Sequence, residues 1–232
     1  MLSPGTRLMY DINYTDASFE VGGQTFTGGE FAYFKHALVD AANPSDPKWN
    51  SLVRFWRGLD AVGIDMYRSL AYEGQPLPTD FDALVVTLKQ MSDYFVQDLD
   101  DSLSEIERVT QVPSTLFLKE VGFRSIERGF TNPFEYSGTG SLNLDHQAAA
   151  YSAFLQSFLD PRLSRMGGVS FWDASVDLEQ HGPFDYGFSP IGKVPTENVL
   201  KKYFRDWQMP QLFMRGPLGA SLGAGGKEGH RS

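Results

Sequence analysis

LFLKEVGFRS, residues 116–125, is the stretch that decides the fold. It begins as an apolar run of the kind found in a strand of a parallel sheet, where both faces are covered. A carboxylate, Glu120, then appears where the strand is about to end. Removing a carboxylate from water costs free energy unless it is paired or used chemically. Glu120 therefore has two interpretations, half of an ion pair or a reactive group.

Four segments of similar character predict the strands of one sheet. They are RLMYDINY (7–14), AVGIDMY (61–67), TLFLKEV (115–121) and GGVSFWDA (167–174). Apolar residues at helical spacing predict helices over 29–42, 47–59, 80–109, 144–160 and 195–207. Asp80 and Thr196 have side chains suited to N-caps. The alternation of strand and helix is typical of parallel β/α units, so we expect an α/β fold.

Two further segments complete the predicted organisation. SFEVGGQTFT (18–27) is typical of a β-hairpin, with Gly22 and Gly23 at its turn. The Gly-rich residues 209–232 cannot bury a core, and we expect them to be a disordered tail. Residues 1–208 then form one barrel-like domain.

The composition excludes several classes of protein. The 232 residues are 41% apolar and carry a net charge of −9, without a basic cluster. An extended surface for nucleic acid or anionic membranes is therefore not expected. The absence of cysteine excludes disulfides and thiolate metal sites, and no His, Asp and Glu cluster has ligand spacing. No signal peptide or membrane span is visible, so we expect a soluble protein without a metal or cofactor, and its compartment stays open.

Polar and aromatic side chains gather at the ends of the predicted strands. Since the carboxyl ends of parallel strands meet at one edge, these residues are expected to share a cleft. Carboxylates together with aromatic rings suit the binding of sugars. The candidates are Asp11, Asn13 and Tyr14 on the first strand, Asp65 and Tyr67 on the second, Glu120 and Arg124 on the third, and Trp172 and Asp173 on the fourth.

Simpler interpretations of the same residues remain open. Arg124 or Arg128 is a possible ion-pair partner for Glu120, and Trp172 is a possible core aromatic. Asp65 has the position of a strand-end carboxylate that caps the next loop, and Tyr67 that of a buried phenol.

The motifs together resemble glycoside hydrolase family 113, a (β/α)8-barrel family of clan A that includes endo-β-mannanases. The resemblance covers residues 7–204 and rests on four motifs in order. They are MYDINYTD, LDAVGIDMYRSL, LFLKEVGFRS and GGVSFWDASVD, followed by DYGFSPIGKVPTENVLKKYF. Their order matches the fifth to eighth β/α units of the family, so the resemblance implies the C-terminal half of a barrel of TIM type.

The resemblance also implies roles for individual residues. Glu120 matches the nucleophile at the end of the seventh strand, and Trp172 matches the aromatic platform for the sugar at the cleavage point. Tyr67 matches the tyrosine near the nucleophile, with Asp65 beside it on the same strand. Asn13 and Tyr14 fall where the fifth strand supplies polar contacts. Independently of the resemblance, Arg124 or another polar group at the rim is expected to keep Glu120 ionised.

One carboxylate that the family's reaction needs has no counterpart among the matched motifs. A retaining glycosidase uses a second carboxylate as acid and base, which the clan places in an Asn-Glu pair at the fourth strand. No such pair precedes Arg7, and four parallel strands are counted, with insertions over 17–46 and 92–112. Glu73, Glu30 and Asp173 are candidate substitutes. We expect a fragment or split protein completed by an N-terminal half, a half-barrel that self-associates, or a decayed relative.

Three functions are consistent with these observations. The first is retaining hydrolysis of β-mannosidic or related bonds in an oligo- or polysaccharide, with the second carboxylate supplied. The second is a non-catalytic carbohydrate-binding or assembly component. The third is a barrel lyase or isomerase that uses Glu120 as a general base, which would lack the metal ligands such enzymes need.

Overall fold

The structure, a computed structural model, describes residues 7–137, 139–159, 163–173, 177, 179 and 181–206. Within these residues, the elements are β1 (Met9–Thr15), β2 (Ser18–Val21), β3 (Gln24–Thr27), α1 (Gly29–Lys35), α2 (Pro47–Arg57), β4 (Ala61–Tyr67), α3 (Phe81–Thr110), β5 (Leu116–Val121), α4 (Leu144–Phe158), β6 (Met166–Val169) and α5 (Val194–Asp206). A π-helical segment, His36–Asp40, continues α1. The predicted strands and helices are confirmed, with shifts of a few residues at most ends.

The central feature is a four-stranded parallel sheet. Its spatial order is β1, β4, β5 and β6, so each strand lies beside the strand of the next β/α unit. β1 and β4 pair over their full length, from Met9 opposite Ala61 to Thr15 opposite Tyr67. The predicted α/β class is confirmed, and the sheet is compatible with part of a parallel β/α barrel.

The core lies between this sheet and the helices. Strand residues alternate in direction, so Ile12 and Tyr14 of β1 are fully buried while Asp11 and Asn13 are exposed. Leu118 of β5 is buried on the same side as Ile12. We call the other side of the sheet, which carries Asp11, Asn13, Asp65, Lys119 and Glu120, the inner face.

Residues 92–110, which lie within one of the two predicted insertions, belong to α3, a single helix of 30 residues. Phe95, Leu99, Leu103 and Ile106 recur at helical spacing and are fully buried in the core. The sequence from 17 to 46 is also ordered as the β2–β3 hairpin, α1 and the π-helical segment.

The two predicted N-caps have different outcomes. Asp80 caps α3, since its carboxylate accepts a hydrogen bond from the Ala83 N–H at 2.9 Å. Thr196 is not a cap because α5 begins before it, at Val194. Its buried hydroxyl instead donates to the side-chain oxygen of Gln147 at 2.9 Å, which joins α5 to α4.

The predicted fourth strand is longer than the observed one, and part of the predicted C-terminal sequence lies outside the described residues. The fourth strand ends at Val169, and residues 170–173 continue without regular structure. Residue 174 and the predicted tail, 209–232, lie outside the described residues. No helix in the described ranges has the length and apolar character needed to cross a membrane.

Candidate active site

A β-bulge in β5 directs Glu120 onto the inner face. Ile64 pairs with Leu118, but the next residue, Asp65, pairs with Glu120, so Lys119 has no opposite residue. A bulge of this kind changes the direction of the following side chain. Lys119 and Glu120 are both partly exposed, and Val121 returns to the core.

Tyr67 holds the Glu120 carboxylate from the neighbouring strand. Its hydroxyl donates a hydrogen bond to Oε2 of Glu120 at 2.8 Å. Burial, the hydrogen bond and the charge of Glu120 raise the pKa of Tyr67. The phenol therefore keeps its proton and remains a donor to the carboxylate.

Glu120 and Tyr67 lie in a cleft of about 620 Å³. Its described lining consists of Asn13, Thr15, Asp16, Ala17, Tyr67, Glu120, Asn132, Phe134 and Tyr136. The rings of Phe134 and Tyr136 are 51% and 62% exposed, so each presents an apolar surface to a ligand. Burial, followed by the charges of Glu120 and Asp173, raises the pKa of Tyr136.

Trp172 adjoins this cleft through Tyr136. The two rings meet edge to face, with centroids 6.2 Å apart. The backbone N–H of Trp172 donates a hydrogen bond to the carbonyl oxygen of Val121 at 2.9 Å. The Trp172–Asp173 peptide bond is cis. A Cβ at Gly122 would collide with the Trp172 carbonyl oxygen, so glycine is needed where the two loops cross.

Asp65 is the second acidic residue beside Glu120. It lies opposite Glu120 in the strand register and opposite Asn13 on the other side. Burial, then the charges of Glu120 and Asp11, raise the pKa of Asp65 to about 6, while Lys119 opposes the shift. The structure thus brings the sequence candidates Glu120, Tyr67, Asp65 and Asn13 together.

Tyr14 does not reach the cleft, which corrects its predicted role. Its side chain points toward the helices, is fully buried and donates a hydrogen bond to Asp98. The Arg68 guanidinium lies over its ring, 4.7 Å from the centroid. The reason is strand alternation, since Tyr14 and Asn13 are neighbours and must point to opposite faces.

The two arginines considered as partners of Glu120 make other contacts. Arg124 Nε donates to the carbonyl of Tyr186 at 3.3 Å, which links the loops after β5 and β6. Arg128 donates to the carbonyls of Gln75 and Tyr72, each at 2.9 Å. These contacts give both guanidinium groups a role in holding loops.

The other acidic candidates lie in different surroundings. Asp173 is half-buried, and its negative charge contributes to the raised pKa of Tyr136. Glu30 accepts hydrogen bonds from the Tyr10 hydroxyl at 3.2 Å and the Asn13 N–H at 3.4 Å, beside β1. Glu73 is exposed on the loop after β4.

Sequence reasoning missed several cleft residues, among them Asp16. Its carboxylate accepts from Arg68 Nε at 2.7 Å and from the N–H and hydroxyl of Ser69, which ties the end of β1 to the end of β4. Asp16 closely follows the first predicted strand, so its position near the carboxyl end of the sheet could have been predicted from the sequence. Phe134 and Tyr136 lie in the loop of 22 residues between β5 and α4. No periodicity in that sequence indicates which way a side chain points.

The fold and the cleft together define an α/β protein with a partial parallel β/α barrel, whose acidic and aromatic cleft lies at the carboxyl ends of its strands. No family model matches the chain. No curated protein sequence matches it either.

Solved structures of glycosidases are similar to part of the chain. One is the GH113 β-mannanase from Alicyclobacillus acidocaldarius in complex with ManMIm, with 19% identity, 66% of this chain and 41% of that chain covered, and a TM-score of 0.47. A GH113 β-1,4-mannanase complex has 20% identity, 76% and 61% coverage, and a TM-score of 0.44. Xylanase 10B from Thermotoga maritima has 16% identity, 67% and 41% coverage, and a TM-score of 0.30. The chain thus spans less than two thirds of the length of each of these proteins.

Proposed function

We propose that the protein is a retaining β-glycoside hydrolase of the mannanase type, with Glu120 as its nucleophile. The observation that carries this proposal is the hydrogen bond from Tyr67 to Glu120, 2.8 Å long, within a cleft that has aromatic walls. An ion-paired structural glutamate would not need a neutral donor or an open cavity in front of it. The sequence motifs that resemble family 113 place the same two residues at its active centre.

The proposed chemistry uses Glu120 to attack the anomeric carbon of a β-linked sugar. The carboxylate displaces the leaving oxygen and forms a glycosyl ester, which water then hydrolyses with net retention. Tyr67 keeps one carboxylate oxygen in place, so the other oxygen of Glu120 remains available for attack. A second carboxyl group must deliver and recover a proton during these two steps.

The substrate is proposed to be an oligo- or polysaccharide. Aromatic rings bind the apolar faces of sugar rings, and the exposed rings of Phe134 and Tyr136 offer two such surfaces beside Glu120. Asn13 and Asp16 supply polar groups for sugar hydroxyls. We also propose that Trp172 and Asp173, at the same end of the sheet, bind the saccharide. Arg124 is proposed to position the loops that form the wall of the cleft.

The first prediction tests Glu120 directly. Glu120→Gln should lower kcat/KM on manno-oligosaccharides by about 10³-fold or more, equivalent to ~4 kcal/mol of transition-state stabilisation. A 2-deoxy-2-fluoro-mannosyl fluoride should label the peptide that contains Glu120, as measured by mass spectrometry. Glu127→Gln is the matched control, because Glu127 lies on the loop that follows β5 and contacts Asn143 outside the cleft. Undiminished turnover in Glu120→Gln, or labelling of another carboxylate, would contradict the assignment.

The alternative function is saccharide binding without hydrolysis. The exposure of Phe134 and Tyr136 favours it, because stacking on these rings needs no carboxylate chemistry. Calorimetric binding of mannopentaose that survives Glu120→Gln, together with no product from the unaltered chain over days, would support this alternative. Loss of binding in Phe134→Ala and Tyr136→Ala would then locate the surface.

A further inference from the structure

A serine joins the loops that follow three neighbouring strands. Ser69 is the second residue after β4, and its backbone N–H donates a hydrogen bond at 3.0 Å to the carboxylate of Asp16, the first residue after β1. Its hydroxyl contacts the same carboxylate oxygen and the backbone carbonyl oxygen of Thr131, in the loop that follows β5. A serine hydroxyl has one proton, so it donates to one of these two acceptors at a time. Ser69 therefore links segments that would otherwise be separate at this end of the sheet.

Asp16 is held from its other side by Arg68. Arg68 Nε donates to Oδ1 of Asp16 at 2.7 Å, whereas Ser69 donates to Oδ2, so each carboxylate oxygen has its own donor. The buried guanidinium of Arg68 lies over the rings of Tyr14 and Phe95, 4.7 and 4.5 Å from the two centroids. Both rings belong to the core, and a cation is attracted to the face of an aromatic ring. Asp16 is thus a fixed point to which Ser69 is attached.

Thr131 immediately precedes the aromatic wall of the cleft. Asn132, Phe134 and Tyr136 follow it in the same loop and line the cleft. Because consecutive Cα atoms are about 3.8 Å apart, the position of Thr131 limits where these side chains can lie. A displacement of the Thr131 carbonyl would therefore move the surfaces that are proposed to bind the sugar rings.

A second contact between the same loops does not involve the Ser69 side chain. The Leu70 N–H donates a hydrogen bond to the carbonyl oxygen of Phe130 at 2.9 Å. A substitution of Ser69 leaves both of these backbone groups in place, so the loop stays attached as far as residue 130. The effect of removing the hydroxyl should therefore be concentrated in residues 131–136.

We propose that Ser69 is a positioning residue of the cleft, whose hydroxyl holds the aromatic wall at the distance from Glu120 that a saccharide chain requires. The inference rests on the proposed function, since it assigns a determinant of how tightly that cleft binds its substrate. Ser69 is not among the described lining residues, and the hydrogen bond from Tyr67 to Glu120 does not involve it. Its influence should therefore appear in the binding of the substrate and not in the chemical step.

Two substitutions of equal size test the hydroxyl. Ser69→Thr keeps the hydroxyl, and Ser69→Val has a methyl group in its place. Ser69→Val should raise the KM for mannopentaose by about 3- to 10-fold, as expected when one hydrogen bond is lost. Its kcat should stay within about twofold of the unaltered value. Ser69→Thr should keep both constants within about twofold, and Ser69→Ala, which adds no bulk, should match Ser69→Val.

Ser51→Ala is the control for the kinetic test. Ser51 is exposed on α2, where its hydroxyl donates to the Pro47 carbonyl at 2.9 Å, so its removal should leave KM and kcat unchanged. Equal KM values for Ser69→Thr and Ser69→Val, or an unchanged KM in Ser69→Ala, would overturn the role of Ser69. A lower kcat at an unchanged KM would overturn it as well, because the effect would then lie in the chemical step.

The second test needs no substrate. In hydrogen–deuterium exchange of the free protein, peptides that cover residues 130–137 should exchange at least about threefold faster in Ser69→Ala and Ser69→Val, because the loop loses a contact. Ser69→Thr should exchange as the unaltered chain does, and peptides from α3 should not differ among the variants. Equal exchange of residues 130–137 in all four proteins would contradict the proposed contact.

These tests distinguish the two proposals. If residues 130–137 exchange faster in Ser69→Val but the unaltered chain hydrolyses no mannopentaose, the proposed function fails and Ser69 remains the residue that positions the wall. If Glu120→Gln abolishes turnover while every Ser69 variant matches the unaltered chain in KM and in exchange, the role of Ser69 fails and the proposed function stands.

Discussion

Glu120 and Tyr67 come from different strands, and their contact depends on the register between them. Asp65 lies opposite Glu120, so Tyr67, two residues further along β4, reaches over the carboxylate from above. Hydrogen bonds to a charged acceptor contribute about 1.5–3 kcal/mol each. At the scale of single residues, this bond is the contact that most directly affects the proposed nucleophile.

Tyr67→Phe is expected to reduce activity without unfolding the protein. Removing the donor should lower kcat by roughly tenfold or more, because Glu120 loses the group that orients it. Steady-state kinetics on mannopentaose would measure the loss, and circular dichroism would check the fold. Tyr33→Phe is the control, since Tyr33 is 57% exposed on α1. Equal kcat values for Tyr67→Phe and the unaltered chain would show that the bond has no part in turnover.

Sequence reasoning reached some site residues and missed others for physical reasons. Glu120 and Tyr67 follow apolar strands, whose ends meet in any parallel sheet. Asn13 and Tyr14 were assigned together, although neighbours in a strand face opposite sides, and Tyr14 lies in the core. The contribution of Tyr136 depends on the conformation of an irregular loop, which leaves no pattern in the sequence.

At the scale of elements, a buried ion pair secures the loop that follows β6. Lys193 is completely buried, and its ammonium group contacts the Asp185 carboxylate and the Gly187 carbonyl at 2.8 and 2.9 Å. Burial lowers the pKa of Lys193, with Asp185 acting in the opposite direction. The same loop supplies Phe188, whose ring lies 5.3 Å from that of Tyr136. The wall of the cleft therefore depends on this lysine.

Lys193→Met should destabilise the protein strongly. It leaves the Asp185 carboxylate without its cation, and breaking a buried pair in this way costs about 3–5 kcal/mol. Urea unfolding followed by circular dichroism would give the change in unfolding free energy. Lys201→Met is the matched control on α5, because its bond to Glu197 is exposed and should contribute less than about 1 kcal/mol. Similar losses for the two variants would contradict the structural role of Lys193.

The element boundaries were largely accessible from periodicity, whereas the bulge in β5 was not. The apolar pattern of the sequence predicted α3, because Leu88, Phe95 and Ile106 recur at helical spacing and all face the core. The bulge at Lys119 could not be inferred, because an extra residue in a strand changes neither its composition nor its length appreciably.

At the scale of the molecule, β1 forms one edge of the sheet. Met9 and Tyr10 near its start are 37% and 36% exposed, whereas further along the strand the Asn13 N–H already donates to the Glu30 carboxylate. Strand edges with exposed backbone groups are prone to pair with another chain. We therefore propose that two copies associate, with β1 at the contact.

Light scattering is expected to give a mass of twice 25.9 kDa for the full chain. Because each chain carries a net charge of −9, added salt should strengthen the association by screening repulsion. Met9→Lys should weaken it by placing a charge on the edge, whereas Val86→Lys, on the exposed face of α3, should not. A mass of one chain at every salt concentration would contradict this prediction.

The bulge in β5 also constrains how the protein can be engineered. Since Lys119 is the extra residue, pairing it with Asp65 in a regular ladder would shift the following residues by one, and the Glu120 carboxylate that now opens onto the cleft would turn toward the helical layer. Loop grafting or consensus redesign in this region must therefore preserve the bulge as strictly as the identity of the acidic side chain that follows it.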